Sequence, residues 1–275
     1  MYFYIFLKPG QCSWFFFETF LFVSRIKSNM KEKFEKISTL PKSNTSKKKI
    51  KEETAKYIQI IRERQHILYA QSKYSLLIVF QGMDTSGKDG ATKAIFSSVN
   101  PQGVSVTSFK KPTDLERSYD FMWRIHKEVP TKGMIKIFNR SHYEDVLVPM
   151  ANRTIEQKEV KRRFDHINDF EKLLEENGTV VLKFYLHISE EEQSKRFEER
   201  LTNPMKNWKF NPSDTETAKQ WPEYRMAYGN VFNHCNAIPW HIIPADKNWY
   251  KEYLIAKKIA NTLLDLDLKF PNLAK

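Results

Sequence analysis

The sequence predicts an α/β fold in which a parallel sheet of mainly five strands carries helices on both faces. Apolar runs typical of buried strands lie near residues 75, 105, 135, 181 and 239, the fourth of them over residues 179–187. Segments with helical periodicity, such as residues 162–176, separate these runs. This alternation favours parallel strands joined by right-handed helical crossovers. No internal repeat interrupts the pattern, so we expect one main domain over residues 51–270 and an N-terminal extension over residues 1–50.

The N-terminal extension differs in composition from the rest of the chain. Residues 1–29 are rich in aromatic side chains, but Lys8 and Glu18 interrupt the apolar runs. No apolar span reaches the roughly 18 residues of a membrane helix, and no secretory signal pattern is present. Residues 40–50 have the polar, basic composition of a linker. We therefore expect a disordered extension and a native chain that starts at Met30; a weak membrane anchor is the alternative.

The net charge points to an anionic partner. Lysine and arginine total 45 against 33 aspartates and glutamates, which gives a formal charge of +12. Such an excess indicates nucleic acid, inorganic polyphosphate or an anionic membrane surface, although a solvated basic surface is the simpler alternative. The two cysteines, Cys12 and Cys235, offer neither a metal-binding spacing nor a disulfide framework. This usage is typical of a reducing compartment, and we expect a cytoplasmic protein.

A glycine-rich turn at residues 82–90 is the strongest functional motif. It has the pattern G-x-x-x-x-G-K, follows a predicted strand and precedes a predicted helix. Glycines there admit an anion close to the backbone, and the loop N–H groups and the helix start attract it. Asp89 replaces the usual serine or threonine that would bind Mg²⁺, while Asp84 adds a carboxylate within the loop. The candidate phosphate-binding residues are Gly82, Thr85, Ser86, Gly87, Lys88, Asp89 and Gly90, with Lys93 further along the helix.

Polar residues also follow the second and third predicted strands, where open α/β sheets bind ligands. Lys110 and Lys111 follow the second strand and are candidates to meet a nucleotide phosphate, with a plain charged turn as the alternative. Asn139 follows the third strand, at a position where a carboxylate usually organises Mg²⁺. Arg140 comes next and can fork onto phosphate oxygens. The acidic pair at 144–145 lies about one helical turn further on.

A basic segment near residues 196–213 predicts a lid. A helix that carries Arg196 and Arg200 breaks at Asn203-Pro204, and an aromatic, basic loop that includes Lys209 follows it. Lids of this composition exclude water and supply positive charge when they close over phosphates. An ordinary connection between two helices is the alternative.

Five sequence blocks together resemble one known family. They are GMDTSGKDG at 82–90, FKKP at 109–112, FNRSHYEDVL at 138–147, WKF at 208–210, and PW at 239–240 with IPAD at 243–246. Through these blocks the chain over 51–270 resembles the polyphosphate kinase type 2 family of polyphosphate:nucleotide phosphotransferases. The resemblance implies a three-layer P-loop kinase fold, thymidylate-kinase-like, with a helical lid. It also implies phosphoryl transfer between inorganic polyphosphate and nucleoside mono- or diphosphates, with Mg²⁺ or Mn²⁺ as the metal.

The same resemblance implies roles for individual residues. Asp84 would position metal and phosphates, while Lys88 and Arg140 would hold the transferring phosphoryl group. Arg200 would reach in from the lid. The other implied contacts are Arg196 and Lys209 for polyphosphate, Lys110, Lys111, Asn139 and Tyr143 for the nucleotide, and Glu144 or Asp145, beside Asp84, for the metal.

The resemblance also narrows the reaction and the partners. The block at 139–145 is similar to the branch of the family that acts on both nucleoside mono- and diphosphates. The family implies polyphosphate and nucleotides as partners rather than nucleic acid or a membrane, and its frequent self-association implies a homo-oligomer. An ATP-dependent nucleotide kinase of the same fold is one alternative, against which Asp89 argues. A non-catalytic polyanion-binding module is the other, and the joint presence of Asp84, Lys88 and Arg140 disfavours it.

Overall fold

A computed structural model describes residue 34 and residues 36–209 and 218–272 of the chain. Its sheet has five strands in the order β2-β3-β1-β4-β5, and every neighbouring pair is parallel. The strands are β1 (Ser75–Gln81), β2 (Val104–Ser108), β3 (Ile135–Asn139), β4 (Thr179–His187) and β5 (Trp240–Pro244). The central strand β1 is buried at every residue, as expected for a parallel strand covered on both faces.

Helices pack against the sheet and against one another. They are α1 (Lys47–Gln71), α2 (Lys88–Phe96), α3 (Asp114–Arg117), α4 (Trp123–His126), α5 (Glu144–Ala151), α6 (Gln157–Glu176), α7 (Glu190–Thr202), α8 (Trp221–His234) and α9 (Asn248–Asp265). Short 3-10 turns lie at Pro101–Gly103 and Asn207–Lys209. Helix α9 packs against α1, α2 and β5, while α6 packs against β4 and α5 against α8. The α/β fold predicted from the alternation of strands and helices is confirmed.

The element bounds follow the sequence patterns closely, with two differences. All five predicted strands are present, and β4 (Thr179–His187) has the predicted bounds. Helix α1 begins at Lys47, where Ser46 caps it, so the last residues of the predicted linker are helical. Helix α6 begins at Gln157 rather than at the predicted residue 162. Its first turn is charged, and the Glu159 carboxylate pairs with Arg163 at 3.1 Å, a contact that hydrophobic periodicity does not reveal.

Phe34, near the N-terminal end of the described residues, is part of the core. The Phe34 ring is 1% exposed, and its centre lies 5.3 Å from that of Tyr185 and 4.9 Å from that of Phe232. Thr39 Oγ1 donates to Asp246 Oδ2 at 2.6 Å and ties the same segment to the far end of the domain. The predictions for residues 1–33, including a start at Met30, lie outside the described residues. Among the helices that are described, none combines the length and the apolar character of a membrane span.

Candidate active site

The turn between β1 and α2 forms a tight cradle. Its backbone has left-handed conformations at Gly82, Thr85 and Gly87, with φ values of 151°, 64° and 90°. Gly82 also has no room for a side chain, because a Cβ there would lie 2.8 Å from the carbonyl oxygen of Leu186. The Lys88 side chain is buried and folds back over the loop, where Nζ donates to Gly82 O at 2.8 Å. The loop therefore has the compact, concave shape that binds phosphate groups.

Two hydroxyl groups inside this cradle have no hydrogen-bond partner in the described part of the chain. They are Thr85 Oγ1 and Ser86 Oγ, and both are buried. Since buried polar atoms in native proteins are almost always paired, these two hydroxyls fit a ligand with hydrogen-bonding atoms. A hydroxyl can donate to a phosphate oxygen, so a phosphate group would satisfy both atoms.

Side chains from α7 and α9 hold the loop carbonyls in place. From α7, Arg196 Nη1 donates to Thr85 O at 2.9 Å, and Gln193 Nε2 donates to Asp84 O at 3.0 Å. From α9, Lys251 Nζ donates to Gly87 O at 3.1 Å. The shape of the loop therefore depends on two helices that lie far along the chain.

The end of β3 lies directly beside the loop. Because β3 is the neighbour of β1, with Asn139 in register with Phe80, residues that follow the two strands meet at one edge of the sheet. Arg140 Nη2 lies 2.5 Å from Asp84 Oδ1, and Asn139 Nδ2 donates to Asp89 Oδ1. Arg140 has a φ of 60°, which is unusual for a non-glycine residue, and its backbone N–H donates to Phe80 O at 3.0 Å. The fold thus aims this arginine at the loop.

A small cavity of about 60 Å³ lies where the loop, β3 and α8 meet, and we call it the central cavity. Its charged and aromatic lining residues are Asp84, Arg140, Glu144, Tyr224 and Tyr228. Burial raises the pKa of Glu144, whereas the positive charges of Arg140 and Lys88 oppose this shift. Burial, followed by the charge of Arg140, lowers the pKa of Lys88 to about 8. Two carboxylates and two cations therefore share a poorly solvated space.

The carboxylates of the central cavity suit a divalent metal that arrives with a phosphate. No cluster of three or more acidic, histidine or cysteine side chains that could hold a metal ion occurs among the described residues. Mg²⁺ does not need such a cluster, because it keeps several waters and is usually bound by one or two carboxylates together with substrate phosphates. Asp84 and Glu144 provide those two carboxylates.

A second cavity, of about 490 Å³, opens beside the loop between α7 and α9, and we call it the basic cavity. Its described lining is Thr85, Gly87, Gly90, Glu192, Lys195, Arg196, Glu199, Arg200, Lys206, Asn248 and Lys251. Cations outnumber carboxylates in this set, and no aliphatic or aromatic side chain is part of it. Such a wall can bind a chain of charged groups, but its described residues offer no aromatic ring on which a base could stack.

A third cavity, of about 900 Å³, lies beyond the ends of β2 and β3, and we call it the aromatic cavity. Tyr119, Phe121 and Phe170 are among its lining residues, together with several arginines. Asp145 Oδ2 accepts from Arg124 Nη2 at 2.9 Å at its edge. Unlike the basic cavity, it has aromatic rings in its lining, beside four arginines and five carboxylates, and these rings can bind a base.

Comparison with known proteins identifies the family. The family described as polyphosphate kinase 2 matches residues 44–270 of this chain. The chain belongs to the polyphosphate kinase 2 family.

Two curated relatives and one solved structure show how similar the family members are. The AMP/ADP-polyphosphate phosphotransferase of Meiothermus ruber is 44% identical over 213 residues, which cover 77% of this chain and 80% of that protein. The ADP-polyphosphate phosphotransferase of Rhodopseudomonas palustris is 36% identical over 228 residues, which cover 78% and 79%. The crystal structure of polyphosphate kinase 2 from Arthrobacter aurescens TC1 matches with a TM-score of 0.83, at 38% identity and 86% coverage of both chains. The predicted family and P-loop kinase fold are confirmed.

Most of the residues expected at the site surround the loop. The structure brings together the 82–90 turn, Asp84, Arg140 and Glu144, and it places Asn139 against Asp89. Arg196 and Arg200 border the basic cavity, as expected of a polyphosphate contact. The assigned roles of these residues stay predictions.

The remaining expected contacts lie further away. Lys93 is exposed on α2 and does not line any of the three cavities. Lys110 and Lys111 are also exposed, and the carbonyl of Lys110 accepts from Arg124 Nη1 at 2.9 Å at the edge of the aromatic cavity. The Lys209 side chain and residues 210–217 of the predicted lid lie outside the described residues.

Two of the expected contacts are corrected. Tyr143 is 0% exposed, and its hydroxyl donates to Glu171 Oε1 at 2.7 Å in the core, so it cannot reach a nucleotide. Asp145 pairs with Arg124 and faces the aromatic cavity, so it does not stand beside Asp84 as a metal ligand. Both differences have one cause: successive residues of a helical turn point about 100° apart, and only Glu144 points to the loop.

Three side chains at the site were missed by the sequence interpretation. Tyr224 and Tyr228 line the central cavity from α8, and Lys251 lines the basic cavity from α9. The two tyrosines are four residues apart, a spacing that places them on one face of a helix. Lys251 has no such signal, because a lysine in an amphipathic helix ordinarily belongs to the solvated face.

Proposed function

We propose that this protein transfers phosphoryl groups between inorganic polyphosphate and nucleoside mono- and diphosphates, with the polymer in the basic cavity and the nucleotide in the aromatic cavity. The contrast between the two cavities carries this proposal. The described lining of the basic cavity contains charged residues but no aliphatic or aromatic residue, whereas the aromatic cavity offers Tyr119, Phe121 and Phe170. The names of the Meiothermus and Rhodopseudomonas relatives, which refer to AMP and ADP as substrates, support the same assignment.

The side chains of the central cavity suit in-line transfer between these two substrates. The acceptor phosphate is the nucleophile, so no side chain needs to form a covalent intermediate. Lys88 and Arg140 neutralise charge on the transferring group, and the burial of Lys88 strengthens this effect by excluding water. Arg200 adds positive charge from the lid side of the basic cavity. Alignment and electrostatic stabilisation account for most of the catalysis in this class of reaction.

Mg²⁺ is the metal that we propose for this reaction, with Mn²⁺ as a substitute. Asp84 and Glu144 would hold it together with substrate phosphates. When bound, it neutralises phosphate oxygens and lowers the repulsion between the two substrates. Asn139 donates to Asp89 instead of supplying a carboxylate, so the metal depends on the two acids of the central cavity.

The assembly and location of the protein are further parts of the proposal. Family resemblance supports a homo-oligomer, which light scattering coupled to gel filtration would measure. A cytoplasmic location is supported by the nucleotide substrates and by Cys235, which is buried with a free thiol.

A donor–acceptor screen tests the proposed function. Purified full-length protein is incubated with polyphosphate and Mg²⁺ and with AMP, ADP, GMP or GDP, and a parallel series receives ATP as the only donor. We expect di- and triphosphates to form from polyphosphate, with little transfer from ATP to a nucleoside monophosphate. Transfer from ATP alone would instead favour an ordinary nucleotide kinase. Binding of polyphosphate without any product would favour a non-catalytic polyanion-binding module.

A further inference from the structure

Lys251 is a buried cation next to the phosphate-binding loop. It lies on α9 and is 1% exposed, and its Nζ donates to Gly87 O at 3.1 Å and to Asn248 Oδ1 at 2.9 Å. Both acceptors are neutral. Within the described part of the chain, no carboxylate forms an ion pair with this ammonium group.

The charges around Lys251 make this lack of a carboxylate costly. Among its ionisable neighbours Arg196 repels it most strongly, Glu252 attracts it less strongly, and Lys88 adds a smaller repulsion. Burial, followed by the charge of Arg196, lowers the pKa of Lys251 to about 8. Buried charges in proteins are normally paired, since an isolated ion loses its hydration without compensation.

A second buried lysine of this protein, Lys183, provides a comparison, because its role is structural. Lys183 on β4 is 0% exposed, and its Nζ lies 2.7 Å from the carboxylate of Glu171, which is equally buried. The two lysines therefore differ in the one respect that matters for a binding site. The positive charge of Lys183 is neutralised within the fold, and that of Lys251 is not.

Lys251 also lies where an anion is expected. It borders the basic cavity together with Gly87 and Arg196, and the unpartnered hydroxyls of Thr85 and Ser86 belong to the same loop. Lys88 Nζ contacts the start of the loop at Gly82, beside the central cavity, whereas Lys251 Nζ contacts its end at Gly87. The two lysines thus serve different sides of the loop.

We propose that Lys251 binds a phosphate of the polyphosphate donor, and that this anion provides the counter-charge that the protein lacks. The inference rests on the proposed function, and it adds a donor-binding residue on α9. Because Lys251 faces the basic cavity, it contacts phosphates that remain on the polymer rather than the one that is transferred. Loss of its charge should weaken donor binding and leave nucleotide binding unchanged.

The test is Lys251→Met, which removes the charge and keeps an unbranched side chain of similar length. We expect the KM for polyphosphate to rise roughly 10-fold or more, as for the loss of a charge-assisted hydrogen bond. The KM for ADP should change less than about twofold, within the range of a residue that contacts only the donor. Polyphosphate without nucleotide should raise the melting temperature of the wild-type protein more than that of the variant. Lys257→Met, an exposed lysine on the same helix, is the matched control and should behave as wild type.

Three results would overturn the inference. An unchanged KM for polyphosphate in Lys251→Met would show that the ammonium group does not bind the donor. Equal increases in the KM for polyphosphate and for ADP would show that Lys251 only supports the loop through Gly87. Equal stabilisation of both proteins by polyphosphate would do the same. If the wild-type protein transferred nothing from polyphosphate, the proposed function would fail instead, and the stabilisation experiment would still decide whether Lys251 binds the polymer.

Discussion

Replacing Lys183 by methionine should destabilise the protein strongly, because it removes the cation that neutralises Glu171. Both side chains are 0% exposed, and the ammonium group lies 2.7 Å from the carboxylate. Lys183 Nζ also donates to Tyr143 OH at 2.9 Å and to Cys235 O at 3.0 Å. Methionine fills much of the space but leaves the Glu171 charge with Tyr143 and His142 as its remaining partners.

The size of the effect follows from this burial. Breaking a buried ion pair by removing one partner costs about 3–5 kcal/mol. In a domain of this size, each kcal/mol lowers the melting temperature by roughly 2–4 °C, so we expect a decrease of roughly 6–20 °C. Replacing both partners, as in Lys183→Met with Glu171→Leu, should recover most of the loss because no unpaired charge remains.

The pKa of Glu171 predicts how the loss of stability in the variant changes with pH. In the wild-type protein burial acts to raise the pKa of Glu171, but Lys183 and His142 hold it below the usual value. A depressed pKa contributes stability above the pKa of the unfolded chain, and this contribution is lost as the pH falls. Without Lys183 the effect of burial prevails, so the folded pKa is raised and stability is lost as the pH rises. The deficit of the variant should therefore be smaller at about pH 5 than at about pH 8.

Thermal unfolding followed by circular dichroism at the two pH values is the assay. Lys172→Met is the control, because Lys172 lies on the surface of α6, with a side chain that is 70% exposed. A loss below about 1 kcal/mol, which is the range of an exposed pair, would refute the reasoning. A deficit of the same size at both pH values would refute the assignment of the effect to the Glu171 charge.

Three further predictions concern the site and the N-terminal segment. Lys88→Ala and Arg140→Ala should each abolish formation of the nucleotide product from polyphosphate, and activity at the wild-type level in either variant would contradict the roles of these residues. In the wild-type protein, kcat/KM for polyphosphate should fall as the pH rises through about 8, the pKa of Lys88 in the free enzyme. Asp84→Asn should remove most Mg²⁺-dependent activity, and an unchanged metal titration would count against Asp84 as a ligand. Phe34→Ala should lower the free energy of unfolding by about 3–5 kcal/mol in urea titrations, because the ring is 1% exposed; a change near zero would show that the N-terminal segment does not stabilise the domain.

The strands and the phosphate-binding loop could be predicted because their signals are local. A short apolar run identifies a strand such as β4 (Thr179–His187), and G-x-x-x-x-G-K between a strand and a helix identifies the loop. Arg140 was found for the same reason, since the end of a parallel strand is a fixed place relative to the loop. In each of these cases the local sequence was sufficient to predict the element or the location of the residue.

The direction in which a side chain points could not be predicted where no local sequence pattern specifies it. Tyr143, Glu144 and Asp145 are consecutive, yet they face the core, the central cavity and the aromatic cavity. Only the packing of α5 against the rest of the fold sets this rotation. Lys251 presents the same difficulty over a longer distance, because its contact with Gly87 spans 164 positions along the chain. No periodicity within α9 indicates that a distant loop needs this lysine.

The composition of the basic cavity explains how a P-loop fold can use a polymer in place of ATP. A nucleoside donor needs an apolar or aromatic surface, and stacking of a base on such a surface is worth about 1–3 kcal/mol. The described lining of the basic cavity contains no aromatic ring, so ATP would forgo roughly 5- to 150-fold in affinity there. The phosphates of a polymer would instead meet the cations of this wall, which include Lys195, Lys206 and Lys251. If the donor binds in the basic cavity, as we propose, selectivity would follow from the lack of an aromatic ring in its described lining as well as from the charges that hold phosphates.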